Sequence, residues 1–321
     1  MAADSAQTAP VGAAGPAGAR AGIKTRRTAL GTHVFDRRTG MNLFIDQPGT
    51  DESVALAPRQ VSVALTNACD LRCSYCYAPK TPGRHDTATV VAWAKELDAH
   101  GCFGVGFGGG EPTLVTGFPE LCHLVAAQTD LAVTFTSHGH HLTASVCTRL
   151  AGAVHFIRIS MDGVGQTYER LRGRPFGALL DRLADVRDVA PFGINVVVNE
   201  RTVHELDQVA GVATQAGARE LLLLPQQPTA RWHGIDQVTL SEMRAWLDRY
   251  RGPLAVTIGA TGINGLPVTA PVPGEQPLDA YAHITADGVL KGSSYQAGGS
   301  PIGKDGVMAA LSVLRTTGAT P

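Results

Sequence analysis

A chain of 321 residues with 27 basic and 28 acidic side chains has a formal net charge of −1, so composition makes no case for nucleic acid or an anionic membrane as partner. Its 44% hydrophobic and 17% charged residues are ordinary for a globular enzyme with a sizeable core. No apolar run nears the roughly 20 residues that cross a bilayer, and the Ala/Gly/Pro-rich start lacks the apolar stretch of a secretory signal.

In chain order, residues 1–28 are expected to be a disordered tail, because small residues without apolar period have little to bury. Residues 29–58 are expected to hold a β-hairpin and a polar connector: apolar runs between Thr32 and Asp46 flank a turn at Arg38, Thr39 and Gly40. This hairpin reads as an edge ribbon or a substrate-docking element.

From residue 59 to 250 strand-like and helix-like stretches alternate. Strand runs fall at Val61–Leu65, Phe103–Phe107, Leu131–Thr136, His155–Ile159, Ile194–Val198 and Leu221–Leu224. Between them, Val90, Ala94 and Leu97 share a helical face that stops at Gly101. Thr202 with Glu205 and Thr239 with Glu242 read as capping boxes, the second opening a helix with Met243, Trp246, Leu247 and Tyr250 at core spacing. Such alternation implies parallel strands with right-handed crossovers. Six units are too few for a closed eight-stranded barrel, so the fold class is α/β, an open (β/α)6 partial TIM barrel. Residues 251–321 change character, with a hairpin turning at Asp287 and Gly288 and a helix over Asp305–Leu314; they are expected to form a small α+β extension.

The chemistry concentrates after the first two strands of the core. Cys69, Cys73 and Cys76 form a CxxxCxxC array, and Gly108 to Pro112 make a Gly-rich turn. In parallel sheets and barrels, sites assemble at the strands' C-terminal ends, so both motifs fall on one rim. Three thiolates without a fourth leave open one iron of a four-iron cluster. A structural zinc site would need a fourth protein ligand; His85 is a nearby candidate, although the spacing is not that of paired zinc knuckles. Cys102, Cys122 and Cys147 lie scattered, and no cysteine follows Cys147.

The array, with Tyr75 at its aromatic position, and Gly109-Gly110-Glu111-Pro112 together resemble the signatures of the radical SAM enzymes, of the branch that includes molybdenum-cofactor, PQQ and peptide maturases. The resemblance covers about residues 60–225. It implies one [4Fe–4S] cluster on Cys69, Cys73 and Cys76, with S-adenosyl-L-methionine (SAM) on the open iron. It implies cofactor contacts at Tyr75, flanking the adenine, and at Gly109 and Gly110, where backbone approaches the SAM ammonium without a Cβ in the way. Glu111 pairs with that ammonium or braces the turn. Ser137, Ser160, Arg172 and Asn199 complete the expected set: a hydroxyl after the third strand, a hydrogen bond to the cofactor, a partner for the methionine carboxylate and a group at the adenosine edge. His138 stands where relatives carry Asn. Asp162 is read as organising its loop.

The expected activity is reductive cleavage of SAM and hydrogen abstraction from a peptide or small natural-product precursor. The alternatives are a redox-neutral rearrangement, epimerisation or decarboxylation of a sugar or nucleoside, and a non-catalytic iron–sulfur or SAM-binding protein. An electron donor such as flavodoxin or ferredoxin is the expected partner, with no nucleic acid and no membrane, in the cytoplasm. Residues 251–321 resemble a degenerate SPASM/twitch extension, Ser293 and Ser294 standing where auxiliary-cluster cysteines would be, so no auxiliary cluster is expected. Gln226 and Gln227 are candidate substrate contacts. His140 and His141 read as a solvated loop, and Cys102 and Cys147 as buried side chains.

Overall fold

The computed structural model describes residues 22–29, 31–46, 54–229, 232–259, 272 and 275–317. An antiparallel sheet comes first, β1 (Ile23–Thr28), β2 (Gly31–Asp36) and β3 (Met41–Ile45). The turn between β2 and β3 is held by the Asp36 carboxylate, which accepts from Arg38 N at 2.9 Å and Thr39 Oγ1 at 3.0 Å. The hairpin is therefore as expected. β1 is a correction, because Ile23–Thr28 fell inside the expected tail and is instead a full partner of β2. Ladder pairing needs no apolar period, and Arg26 reaches inward to the carbonyls of Ala57, Gly101 and Asp279. The rest of that tail, residues 1–21, lies outside the described residues.

The body of the chain follows as β4 (Gln60–Thr66), α1 (Thr87–Ala99), β5 (Gly104–Gly109), α2 (Phe118–Gln128), β6 (Ala132–Ser137), α3 (Ala144–Leu150), β7 (Phe156–Ser160), α4 (Gly165–Arg172), α5 (Phe176–Arg187), β8 (Phe192–Val198), α6 (Leu206–Ala216), β9 (Glu220–Pro225) and α7 (Gln237–Arg249). Next come β10 (Ala255–Ile258), α8 (Pro277–Ala280), β11 (Tyr281–Ile284), β12 (Val289–Lys291), β13 (Ser300–Pro301) and α9 (Gly306–Thr316). The second sheet runs β10-β9-β8-β7-β6-β5-β4-β11-β12-β13 and does not close on itself. β4 to β9 are the six expected strands. β10 adds in parallel to β9 and β11 in parallel to β4, so β10 extends one edge of the sheet and β11 to β13 the other.

Alternation along the strands sorts the two faces. Val61, Val63, Val105, Phe107, Val133, Ile157, Ile159, Ile194 and Leu221 pack with the helices in one core. Their neighbours Ser62, Gly106, Thr134, Arg158 and Asn195 occupy the opposite face, a polar wall with little bulk on β5. α1 begins where Asp86 accepts from Thr89 N at 2.9 Å and buries Val90, Val91, Ala94 and Leu97, each removal from water stabilising by about 1.5–3 kcal/mol for the larger side chains. Neither expected capping box forms. Glu205 turns instead to Val164 N (2.8 Å) and Thr167 Oγ1 (2.5 Å), and α7 is capped by Asp236, which accepts from Thr239 N at 2.7 Å. Among the described residues no helix is long and apolar enough to cross a membrane.

Candidate active site

The loop after β4 carries the three cysteines, and the bend after β5 is sewn to it. Gly110 N donates to the Thr66 carbonyl at 2.6 Å and Glu111 N to the Ala68 carbonyl at 2.8 Å. Gly109 has φ +110°, and a Cβ there would lie 2.3 Å from the Thr66 oxygen; at Gly110 it would lie 2.1 Å from the Ala68 oxygen. The two glycines thus admit the cysteine loop's own backbone, a different reason from the expected approach of the cofactor. Gly108, by contrast, has open space where its Cβ would be.

Glu111 is 1% exposed. One carboxylate oxygen accepts from Thr113 N (3.2 Å), Thr113 Oγ1 (2.6 Å) and Ser137 Oγ (2.8 Å), and the other from His138 N (2.9 Å). Of the two roles left open for it, this geometry is that of a brace. It ties the β5 bend to the end of β6, and it engages the Ser137 hydroxyl, which also accepts from Gly139 N at 2.9 Å.

A second brace runs behind the cysteines. The Tyr75 hydroxyl donates to Asp162, which also takes Arg172 Nη2 at 2.7 Å and Val197 N at 2.6 Å. Tyr75 and Asp162 are buried. The Asp162 charge, after burial itself, pushes the Tyr75 hydroxyl well above its ordinary range, so it stays a donor. Tyr75 and Arg172 are therefore engaged with Asp162, and Arg172 Nε is buried without a hydrogen-bond partner. Ser160 ends β7, half-buried. Asn199 is 4% exposed and committed: its amide donates to Gln226 Oε1 (2.9 Å) and its oxygen accepts from Arg201 N and Thr202 N. Gln226 in turn donates to the His233 carbonyl, and Gln227 to that of Pro225. Hydrogen bonding inside the fold thus engages the amides of both glutamines.

No local pattern of residues signals the role of Asp70. It accepts from His138 Nε2 (2.9 Å), His141 Nε2 (3.1 Å) and Arg174 Nη2 (2.5 Å). His138 Nδ1 accepts from His140 N at 3.1 Å, which fixes the proton on Nε2. Burial favours neutral His138. Although burial opposes it, the His138 hydrogen bond and neighbouring charges hold Asp70 down at about 2. The expected solvated histidine loop is instead tied to the loop holding Cys69; His140 bonds Tyr168 at 2.8 Å. The His138 and His141 pairings with Asp70 join residues 68 and 71 positions apart, beyond any local pattern.

Would these thiols hold an iron–sulfur cluster? All three are free and half-buried. Cys69 also stands with Asp70 and His138, one ligand atom of each within 4.8 Å of the others, but the last two are hydrogen-bonded to each other at 2.9 Å. His85, the candidate fourth zinc ligand, instead shares a hydrogen bond with the Thr285 carbonyl (2.8 Å) and packs edge-on against Trp93. Each sulfur also has a donor: Leu71 N at 3.4 Å from Cys69, Arg172 Nη1 at 3.9 Å from Cys73 and Lys80 Nζ at 3.7 Å from Cys76. Donors around cluster sulfurs tune potential. Burial raises the Cys69 and Cys73 thiols above their ordinary range, so metal binding releases protons. Cys102, Cys122 and Cys147 are buried in the helix-facing core.

Comparison with known proteins agrees with this geometry. Residues 63–213 match the Radical SAM superfamily. Over 170 residues the chain is 32% identical to the mycofactocin maturase MftC of Mycobacterium tuberculosis, covering 50% of this chain and 43% of MftC. It is 31% identical to the sporulation killing factor maturation protein SkfB of Bacillus subtilis, covering 50% and 41%. The chain thus spans less than half the length of these relatives. Among solved structures, Streptococcus suis SuiB bound to its precursor peptide SuiA superposes with a TM-score of 0.70 at 11% identity, over 85% of this chain and 82% of SuiB. That likeness shows the fold.

Proposed function

On the premise that residues 63–213 are a radical SAM domain, we propose that this enzyme modifies a peptide by hydrogen abstraction, with Cys69, Cys73 and Cys76 holding a [4Fe–4S] cluster. The observation that supports the reading is the stitching of the cysteine loop to the Gly109–Gly110 bend, at the end of the strand in which Gly108 has open space at its Cβ position. When bound, the cluster and SAM supply a 5′-deoxyadenosyl radical.

The chain's own residues hold and shield. Glu111 and Asp162 each join two or more loops, so the thiolates keep one arrangement while substrate comes and goes. Gly108 offers unhindered backbone for the amino-acid end of SAM, with Ser160 as a hydroxyl for it. Tyr75 and Arg172 act through Asp162, and Arg172 also stabilises charge on Cys73. Ser137 and Asn199 shape the rim through Glu111 and Gln226. Of the small inward residues of β5, Gly108 leaves room for a peptide segment on the polar sheet face. The maturase relatives MftC and SkfB, and the peptide-bound SuiB structure, support a peptide over a sugar or nucleoside.

The test is anaerobic reconstitution, then dithionite and SAM. About four irons and four sulfides per chain with 5′-deoxyadenosine released is the expected result, and a precursor peptide should change mass. One zinc per chain and no sulfide would overturn the reading.

A further inference from the structure

We propose that the outer face of the cysteine loop, with the end of α4, is the docking site for an acidic one-electron carrier protein. This rests on the reading that Cys69, Cys73 and Cys76 hold an iron–sulfur cluster. A cavity of about 300 Å³ opens there, lined among others by Asp70, Arg72, Ser74, Arg170, Arg172 and Gly173. Arg72 and Ser74 flank Cys73 in the chain, so the thiolate loop is itself the cavity wall. Arg172 lines the cavity and reaches to 3.9 Å from the Cys73 sulfur.

The charges here are asymmetric in how they are used. Asp70, the acid of this wall, is engaged by His138, His141 and Arg174, and nearby Glu169 accepts from Phe176 N at 3.0 Å. Arg172 and Arg174 are paired with Asp162 and Asp70, but Arg72, Arg170 and Lys80 have no ion-pair partner among the described residues. Arg72 is exposed, and the exposed Arg170 has a 3.4 Å contact with Thr167 Oγ1. Lys80 stands exposed over Cys76. In a chain of net charge −1, a cationic face on the thiolate loop steers an anionic partner towards that loop. A short-lived electron-transfer complex needs little buried area, below about 1,200 Å², so a charged patch of this kind suffices. One electron passes per encounter: the carrier loses it, the iron–sulfur centre gains it, and no bond is made or broken in that step.

The experiment uses the reconstituted chain and a purified flavodoxin of strongly negative charge, with Arg72→Glu/Arg170→Glu and a control reversal at Arg251. Binding is followed by flavin fluorescence across a KCl series, and SAM cleavage is driven in parallel by flavodoxin and by dithionite. The double reversal should weaken binding at least tenfold, flatten its salt dependence and cut flavodoxin-driven cleavage similarly, with iron content and dithionite-driven cleavage at wild-type level. Unchanged flavodoxin affinity in the double variant would overturn the proposal, as would equal weakening by Arg251→Glu. If the reversal instead weakens peptide turnover under dithionite, the face belongs to the peptide and the proposal also fails. Absence of cleavage with dithionite in the wild type would sink the cluster reading, while the binding arm would still decide the docking face.

Discussion

Gly110 and Ala68 meet so closely that a methyl group added at Gly110 would stand 2.1 Å from the Ala68 carbonyl oxygen. Neither atom is the end of a flexible side chain, so one loop must move. Gly110→Ala should therefore push the cysteine loop off the β5 bend, costing about 1–3 kcal/mol as overpacking does and impairing iron retention with SAM binding. Iron and sulfide content after reconstitution, with thermal midpoints, checks this. A variant with wild-type iron but weakened SAM binding would restore the cofactor-approach explanation.

Asp162 is a buried carboxylate shared by Tyr75, Arg172 and Val197 N. Its replacement by Ala leaves a buried guanidinium unpaired, and breaking such a pair costs about 3–5 kcal/mol. Tyr75→Phe removes one hydrogen bond and should cost about 1 kcal/mol. Urea unfolding of the metal-free protein measures both. Equal, small losses would mean that water replaces the carboxylate and that the brace has little strength.

Much of this was legible in the sequence because it is local. The strands β4 to β9, the face of α1 and the cysteine spacing all follow from periods and short motifs. What was hidden depends on distant partners. Thr202 and Glu205 satisfy a capping box as text, but Glu205 finds Val164 N across the loop after β7. The strand at Ile23–Thr28 has no apolar period because its hydrogen bonds, not its side chains, seat it. β11 beside β4 brings together residues more than 200 positions apart, which no window of sequence contains.

Thiol counting separates the two kinds of cysteine. Cys69, Cys73 and Cys76 are half-buried, and Cys102, Cys122 and Cys147 are buried. Burial also pushes the Cys102 thiol up to about 11. In the metal-free, reduced protein, Ellman's reagent should titrate the loop thiols in the native state and the others only after denaturation. Reconstitution should protect the loop thiols. Fast reaction at more than the loop thiols would contradict the core placement of the rest.

Acid should weaken the fold through buried histidines, His155 and His283 among them. Burial holds His155 and His283 neutral, each lowered to about 4. His155 Nδ1 accepts from Val133 N at 3.0 Å, a bond that a protonated nitrogen cannot take. Above the unfolded value near 6.5, neither state is charged and these groups contribute nothing to the pH dependence. Below it the unfolded chain takes the proton first, so stability falls from about pH 6.5 towards 4, by up to about 1.4 kcal/mol per pH unit for each proton. Urea midpoints of the His283→Gln variant should show a shallower acid slope than wild type; an identical slope would remove His283 from the account.

The last helix depends on a carboxylate from the first. Glu96 of α1 accepts from Val307 N at 2.8 Å and Met308 N at 2.9 Å, the opening amides of α9, which its own turns leave unpaired. Its charge also sits at the positive end of that helix. Glu96→Ala should cost about 1–2 kcal/mol, as loss of a cap does, and Glu96→Gln less, since an amide oxygen still accepts. The effect should be local: α9 rests on α1, β12 and β13, away from the cysteine loop. Hydrogen exchange should therefore quicken over residues 306–316 while iron content holds. Iron loss in Glu96→Ala, with α9 still protected, would mean that the edge of the sheet, not the helix cap, carries the interaction.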